Sequence, residues 1–126
     1  MAFPIEEIPP EAALFRRIHE AQYDAQTGKV SSAAFKQDDM SVNWEKYRNA
    51  KDSAEVTSAA VVAITCGDCL GLGQTVKHDP IEPDQPFGPN QAHTEVRGSK
   101  KGEISRKLRD LGKLVWVRPP KSAPPA

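Results

Sequence analysis

Apolar and polar positions change period several times along the chain, and each change marks an expected element. Ala12 to His19 (AALFRRIH) carries Leu14, Phe15 and Ile18 in a spacing that fits a helical turn or a strand. The turn that follows at Gln26-Thr27-Gly28-Lys29, where Gly28 is free to take a positive φ, favours the strand. Val30 to Phe35 (VSSAAF) is ambiguous, whereas Met40 to Trp44 (MSVNW) alternates as a half-buried strand does. Lys51 to Ala60 (KDSAEVTSAA) is expected to be a helix, capped by Asp52 or Ser53, with Glu55 completing a capping box.

Val61 to Thr65 (VVAIT) is β-branched and uninterrupted, which suits a buried central strand. A glycine-rich segment, Gly67 to Gly73, leads to a further strand at Gln74 to His78. Asp79 to Asn90 holds Pro80, Pro83, Pro86, Pro89 and Gly88 and is a long loop, from which His93 to Arg97 returns as a strand. Glu103 to Leu111 places Ile104, Leu108 and Leu111 on one helical stripe, with Gly112 at its end. Leu114 to Val117 is a last strand, closed by Pro119 and Pro120. Helices and strands mix without strict alternation, so the expected class is α+β: a single small domain, its sheet mixed or mostly antiparallel, with about two helices.

At 126 residues the chain suits one domain. Its expected limits are an extended N-terminal arm (1–11), the folded unit (12–118) and a Pro-rich disordered tail (119–126). Phe3, Ile5 and Ile8 give the arm side chains to pack against the domain or a partner. No apolar run approaches the roughly 20 residues of a membrane span, and Met1 to Pro10 has no basic leader region, so the expectation is a cytoplasmic protein with no membrane contact and with Cys66 and Cys69 as thiols.

Seventeen basic and seventeen acidic residues cancel over the whole chain but not along it. Residues 97–126 hold nine Lys and Arg against two acids, a net +7, and the first 96 hold eight against fifteen, a net −7. Lys100, Lys101, Arg106, Lys107, Arg109 and Lys113 are therefore the candidate contact residues for an anionic partner, an acidic protein or nucleic acid, with the C-terminal helix as the surface. The scarcity of aromatic residues counts against a stacking platform for single strands.

Cys66-Gly-Asp-Cys69-Leu-Gly-Leu-Gly73 matches C-x-x-C-x-G-x-G and resembles one repeat of the cysteine-rich zinc domain of the DnaJ class of co-chaperones. Zinc wants four ligands, so a site here would need Cys66 and Cys69 with His78 and His93, or a second copy of the chain in a zinc-stapled dimer. A redox role would want a helix to begin at the first cysteine, which Gly71 and Gly73 disfavour; the plainer expectation is two half-buried thiols at a strand end.

Catalytic candidates are Arg17, His19, Ser41, His78 and His93, which would serve a small transferase or nuclease-type site if they converge, with Glu95 as a further member. Arg17, Ser41 and Glu95 occur in the order that a compact ADP-ribosyltransferase-like fold would use. Leu14-Phe-Arg-Arg-Ile18, Val30 to Phe35, Met40-Ser-Val42, Gly73 to Pro80 and Asn90-x-Ala-His93 with Gly98 together resemble a widespread group of small bacterial proteins of unassigned function. The likeness spans most of residues 12–113, leaves out the two cysteines and implies one domain without implying an activity. The favoured function at this point is a binding or accessory domain, such as an accessory subunit, regulator or antitoxin-like partner, working through the basic C-terminal helix.

Overall fold

In the computed structural model, which describes residues 3–120, the first strand is β1 (Ala13–His19). Its positions alternate between half-buried and buried, so Leu14, Arg16 and Ile18 point to one side and Ala13, Phe15 and Arg17 to the other. The strands that follow are β2 (Tyr23–Asp24), β3 (Lys29–Val30), β4 (Asp39–Trp44), β5 (Ser58–Thr65), β6 (Thr75–His78), β7 (His93–Arg97) and β8 (Lys113–Val117). Six of them form one sheet in the order β6-β7-β4-β1-β5-β8, with every neighbouring pair antiparallel, while β2 and β3 form a separate hairpin. Gly28 turns that hairpin at a φ of 71°. Three helices complete the α+β domain: α1 (Ala50–Ser53), α2 (Cys66–Gly71) and α3 (Glu103–Leu111), with 3₁₀ turns at Glu20–Gln22 and Ser32–Phe35.

The core lies on one face of the sheet. Leu14, Ile18, Met40, Val42, Trp44, Ala60, Val62, Ile64 and Val96 project there and pack with Ile8, Phe35, Cys66, Cys69 and Leu108. Burying each of the large side chains in this set is worth about 1.5–3 kcal/mol, which makes this face the source of most of the fold's stability. Because residues paired across an antiparallel ladder share a face, the other side can be read directly from the register: Phe15 with Asn43 and Ala63, Arg17 with Val61, and Ser41 with Glu95.

Four local expectations are corrected. The helix expected over Lys51 to Ala60 stops at Ser53, because Ser58 to Ala60 enter the ladder beside His19 and Ile18 and the sheet outweighs a modest helical propensity. Its cap is Asn49, whose side chain accepts the Asp52 N–H at 2.7 Å, and the Glu55 N–H goes to Ser58 Oγ instead of closing a capping box. On α3 the inward face is Ile104, Ser105 and Leu108, while Leu111 stays 44% exposed where the helix overruns the core. A helix does begin at Cys66, since Thr65 Oγ1 accepts the Asp68 N–H at 3.0 Å and Gly71 falls at its last position.

Gly112 ends α3 for a reason of space. Its φ is −68°, open to any residue, but a Cβ there would lie 2.4 Å from Val62. The N-terminal arm packs on the domain through Ile8, with Gly67 N–H donating to Pro10 and Cys66 N–H to Ala12, whereas Ile5 is 74% exposed. The expected tail falls largely on residues 121–126, outside the described residues; Pro119 and Pro120 carry no regular structure.

Candidate functional site

The face of the sheet opposite the core is covered only in part, by α1 and by the loop between β6 and β7, and a cleft of about 490 Å³ remains between them. Its floor is built from alternate residues of two central strands, Arg17 of β1 with Ser41 and Asn43 of β4, joined by His93 of β7. The walls are Arg48, Asp52, Ser53, Ala54 and Glu55 on one side and Ile81, Phe87 and Asn90 on the other. A strand that sends Met40, Val42 and Trp44 into the core must send Ser41 and Asn43 the other way, so the polar floor follows from the same period that makes the core.

Hydrogen bonds connect the floor in a definite sequence. Ser41 Oγ and His93 Nε2 are 3.2 Å apart, and His93 Nδ1 lies 2.8 Å from the Asp79 carbonyl. A carbonyl only accepts, so Nδ1 carries the proton and Nε2 presents its lone pair to the Ser41 hydroxyl. The Asp79 carboxylate stands 3.8 Å from the same Nδ1, and the Asp79 N–H donates to the His93 carbonyl, tying the two residues together. The order is hydroxyl, base, orienting acceptor, which is the arrangement that prepares an oxygen nucleophile.

Asn90 positions the opposite wall. Its Nδ2 donates to Asn43 Oδ1 at 2.8 Å, its Oδ1 accepts the Ala92 N–H, and its backbone pairs with Ile81 in an isolated bridge. Phe87 sits at the tip of this loop, 95% exposed and at a φ of 66°, a backbone region that a bulky side chain seldom occupies. Arg17 Nε lies 3.3 Å from Glu55, a partly exposed pair, and Arg48 is half-buried on the same wall.

Of the catalytic candidates, the structure brings together Arg17, Ser41 and His93. It does not bring in His19, which is exposed at the end of β1 and caps the Glu20–Gln22 turn by accepting the Ala21 N–H. Nor does it bring in His78, which pairs with Thr94 on the core face, so His78 and His93 do not share a cleft. The His78 ring is fully employed: Nδ1 accepts the Glu6 N–H at 3.0 Å, Nε2 donates to the Gln91 carbonyl at 2.7 Å, and Trp44 and Tyr47 pack against it. Glu95 shares the open face but is held by Arg97 at 2.7 Å, outside the cleft lining. Asn43, Arg48, Asp79 and Asn90 were missed; the alternation of Ser41-Val42-Asn43 was a signal for Asn43, and the other three needed the folded loops.

The four-residue zinc set does not assemble, because its two histidines lie on opposite faces. Among the described residues no group of three or more His, Cys, Asp or Glu side chains converges in a way that could hold a metal ion. Burial pushes the Cys69 thiol up to about 12 and raises that of Cys66 as well, so both stay protonated although a helix starts there.

The basic C-terminal set divides. Lys100 is fully buried: its Nζ donates to the carbonyls of Asp38, Val96 and Gly98 at 3.0, 2.7 and 3.0 Å, so it is a structural tie and not a contact residue. Burial holds its ammonium below the ordinary lysine range. Lys101, Arg106, Lys107 and Lys113 are exposed; Lys107 faces Glu103 at 3.8 Å and Arg109 reaches Asp110 at 2.9 Å. Both are surface pairs of small energetic weight. No described helix is long and apolar enough to cross a membrane.

Fold and site together define an α+β domain with one packed sheet face and one polar, cleft-bearing face. Set against models of known protein families, curated proteins and solved structures, the chain matches none.

Proposed function

We propose that the chain is a small enzyme of transferase or nuclease type, acting at the open-face cleft on a substrate that carries an anionic group. Ser41 is the nucleophile, His93 Nε2 takes its proton, and Asp79 holds the imidazole in the tautomer that leaves Nε2 free. Arg17 and Arg48 receive the anionic group and counter the charge that builds at the reacting centre. The observation that carries this reading is the single hydrogen-bonded sequence from Ser41 through His93 to Asp79, opening into a cleft large enough for a small ligand.

A fluorophosphonate tests it, because such a reagent phosphonylates a serine only where a base removes its proton. Oγ bonds to phosphorus, fluoride leaves, and the proton passes to His93. Intact mass should show one adduct on the wild-type chain, none on Ser41→Ala, and labelling slowed at least about 100-fold in His93→Ala, the scale of general-base assistance. No adduct, or an adduct rate indifferent to His93, removes the reading.

A second reading rests on a separate observation. Lys101, Arg106, Lys107 and Lys113 remain on the surface, which supports a binding or accessory role toward an anionic partner, now without Lys100.

A further inference from the structure

β8 ends the sheet, and among the described residues no strand pairs with its outer edge. Edges of this kind are usually short, charged or covered, yet β8 reads Lys-Leu-Val-Trp-Val, with Leu114, Val115 and Val117 each between 42% and 46% exposed. The register with β5 sorts its side chains. Leu114 and Val117 pair with Val62 and Ala60 and so lie on the core side; Lys113 and Trp116 pair with Ala63 and Val61 and lie on the open side. Beside Leu114 is a second cleft of about 420 Å³, bounded by the β2–β3 hairpin and the end of α3. On the open side Arg118 stands 5.2 Å from the Trp116 ring, while its Nε and Nη2 donate to the Ser58 and Glu55 carbonyls at 2.8 Å each. Exposed Lys113 thus puts positive charge at one end of the strand and the tied guanidinium of Arg118 puts it at the other.

We infer that β8 is a docking edge for an extended segment of a partner protein whose residues alternate between apolar and acidic. Main-chain hydrogen bonds to β8 would add the segment as a seventh strand. Its apolar side chains would then lie over Leu114 and Val117 and reach the cleft beside Leu114, and its carboxylates would meet Lys113 and the remaining guanidinium nitrogen of Arg118. A second copy of the chain fits less well: antiparallel pairing of β8 with itself brings two sets of Lys113 and Arg118 into one ladder, where like charges repel. For the sign of the partner's charge this inference rests on the second reading above.

The probe is a fluorescein-labelled peptide of four Glu-Val repeats, with four Lys-Val repeats as control, titrated into the full chain and read by anisotropy. The Glu-Val peptide should bind, the control should not, and amide exchange should slow across residues 113–117. Leu114→Glu and Lys113→Glu, with unchanged circular dichroism, should each weaken binding at least tenfold. Glu-Val binding that ignores both variants but falls in Arg106→Glu with Lys107→Glu would overturn the docking edge while leaving the charged surface in place. Equal binding of both peptides, or of neither, would overturn the inference together with that reading. Concentration-dependent protection of β8 in the chain alone would assign the edge to a second copy and overturn it too.

Discussion

Arg16 and Arg17 are neighbours on one strand, and they live in different solvents. Arg16 points to the packed face, 7% exposed, where its guanidinium donates to the carbonyls of Ala34 and Ser41 at 2.9 and 3.0 Å. Arg17 points to the open face, partly wet, opposite Glu55 and at the floor of a cleft. The same division separates His78, locked between Glu6 and Gln91, from His93, whose free ring nitrogen looks at a hydroxyl. One face spends its polar groups on holding the fold; the other keeps them within reach of a ligand.

The largest effects expected from breaking this comparison fall on the packed side. Arg16→Met or Lys100→Met leaves buried carbonyls without donors, at a cost of roughly 2–4 kcal/mol each, read as a lower urea midpoint. Arg17→Met removes only a partly exposed ion pair and should cost under about 1 kcal/mol, yet it should slow fluorophosphonate labelling of Ser41. Equal losses of stability at Arg16 and Arg17 would erase the distinction between the faces.

A smaller effect concerns the arm. Glu6 accepts from Lys46 Nζ at 2.7 Å and from the Tyr47 hydroxyl, and these two bonds, Lys46 first, hold its carboxyl below the ordinary glutamate range. A carboxylate lowered in the folded state contributes stability above its unfolded pKa and loses it as pH falls through the folded one. Acidification below the glutamate range should therefore lower the protection factor of the Gly67 amide, which bonds to Pro10 of the arm. Glu6→Gln should exchange faster already at neutral pH and respond less to acid. An identical acid response in the two proteins would separate Glu6 from the arm's attachment.

What was legible in the sequence follows from period. β4 and β5 announce themselves by alternation and β-branching, β1 is favoured as a strand only by the turn after it, and β6, β7 and β8 follow from the loops and prolines that bound them. The α+β class, with a mixed or mostly antiparallel sheet, follows from the mixture of strands and helices. The errors fall where tertiary pairing overrides local preference. Ser58 to Ala60 look helical in isolation and become strand once β1 lies beside them. Lys100 looks like a surface cation because nothing in a sequence reveals three carbonyls converging on one ammonium. Leu111 was drawn into the stripe by spacing alone, although the core ends one turn earlier.

For the site, the residue types were legible and the partnership was not. Ser41 and His93 were both candidates, but they stand 52 positions apart and meet only because β4 and β7 pair. Sequence spacing could not separate His93 from His78, since each stands at the end of a strand and the face on which it lies depends on the pairing. Asp79 and Asn90 come from the proline-bearing loop, whose path has no period to read.

The central claim is that the two histidines hold opposite tautomers, and long-range ¹H–¹⁵N correlation on histidine-labelled protein at neutral pH tests it directly. His93 should show a protonated, pyrrole-like Nδ1 and a pyridine-like Nε2 that shifts in Ser41→Ala; His78 should show the reverse assignment and ignore that substitution. A protonated Nε2 on His93, or an Nε2 resonance unmoved when the hydroxyl is removed, would contradict the account.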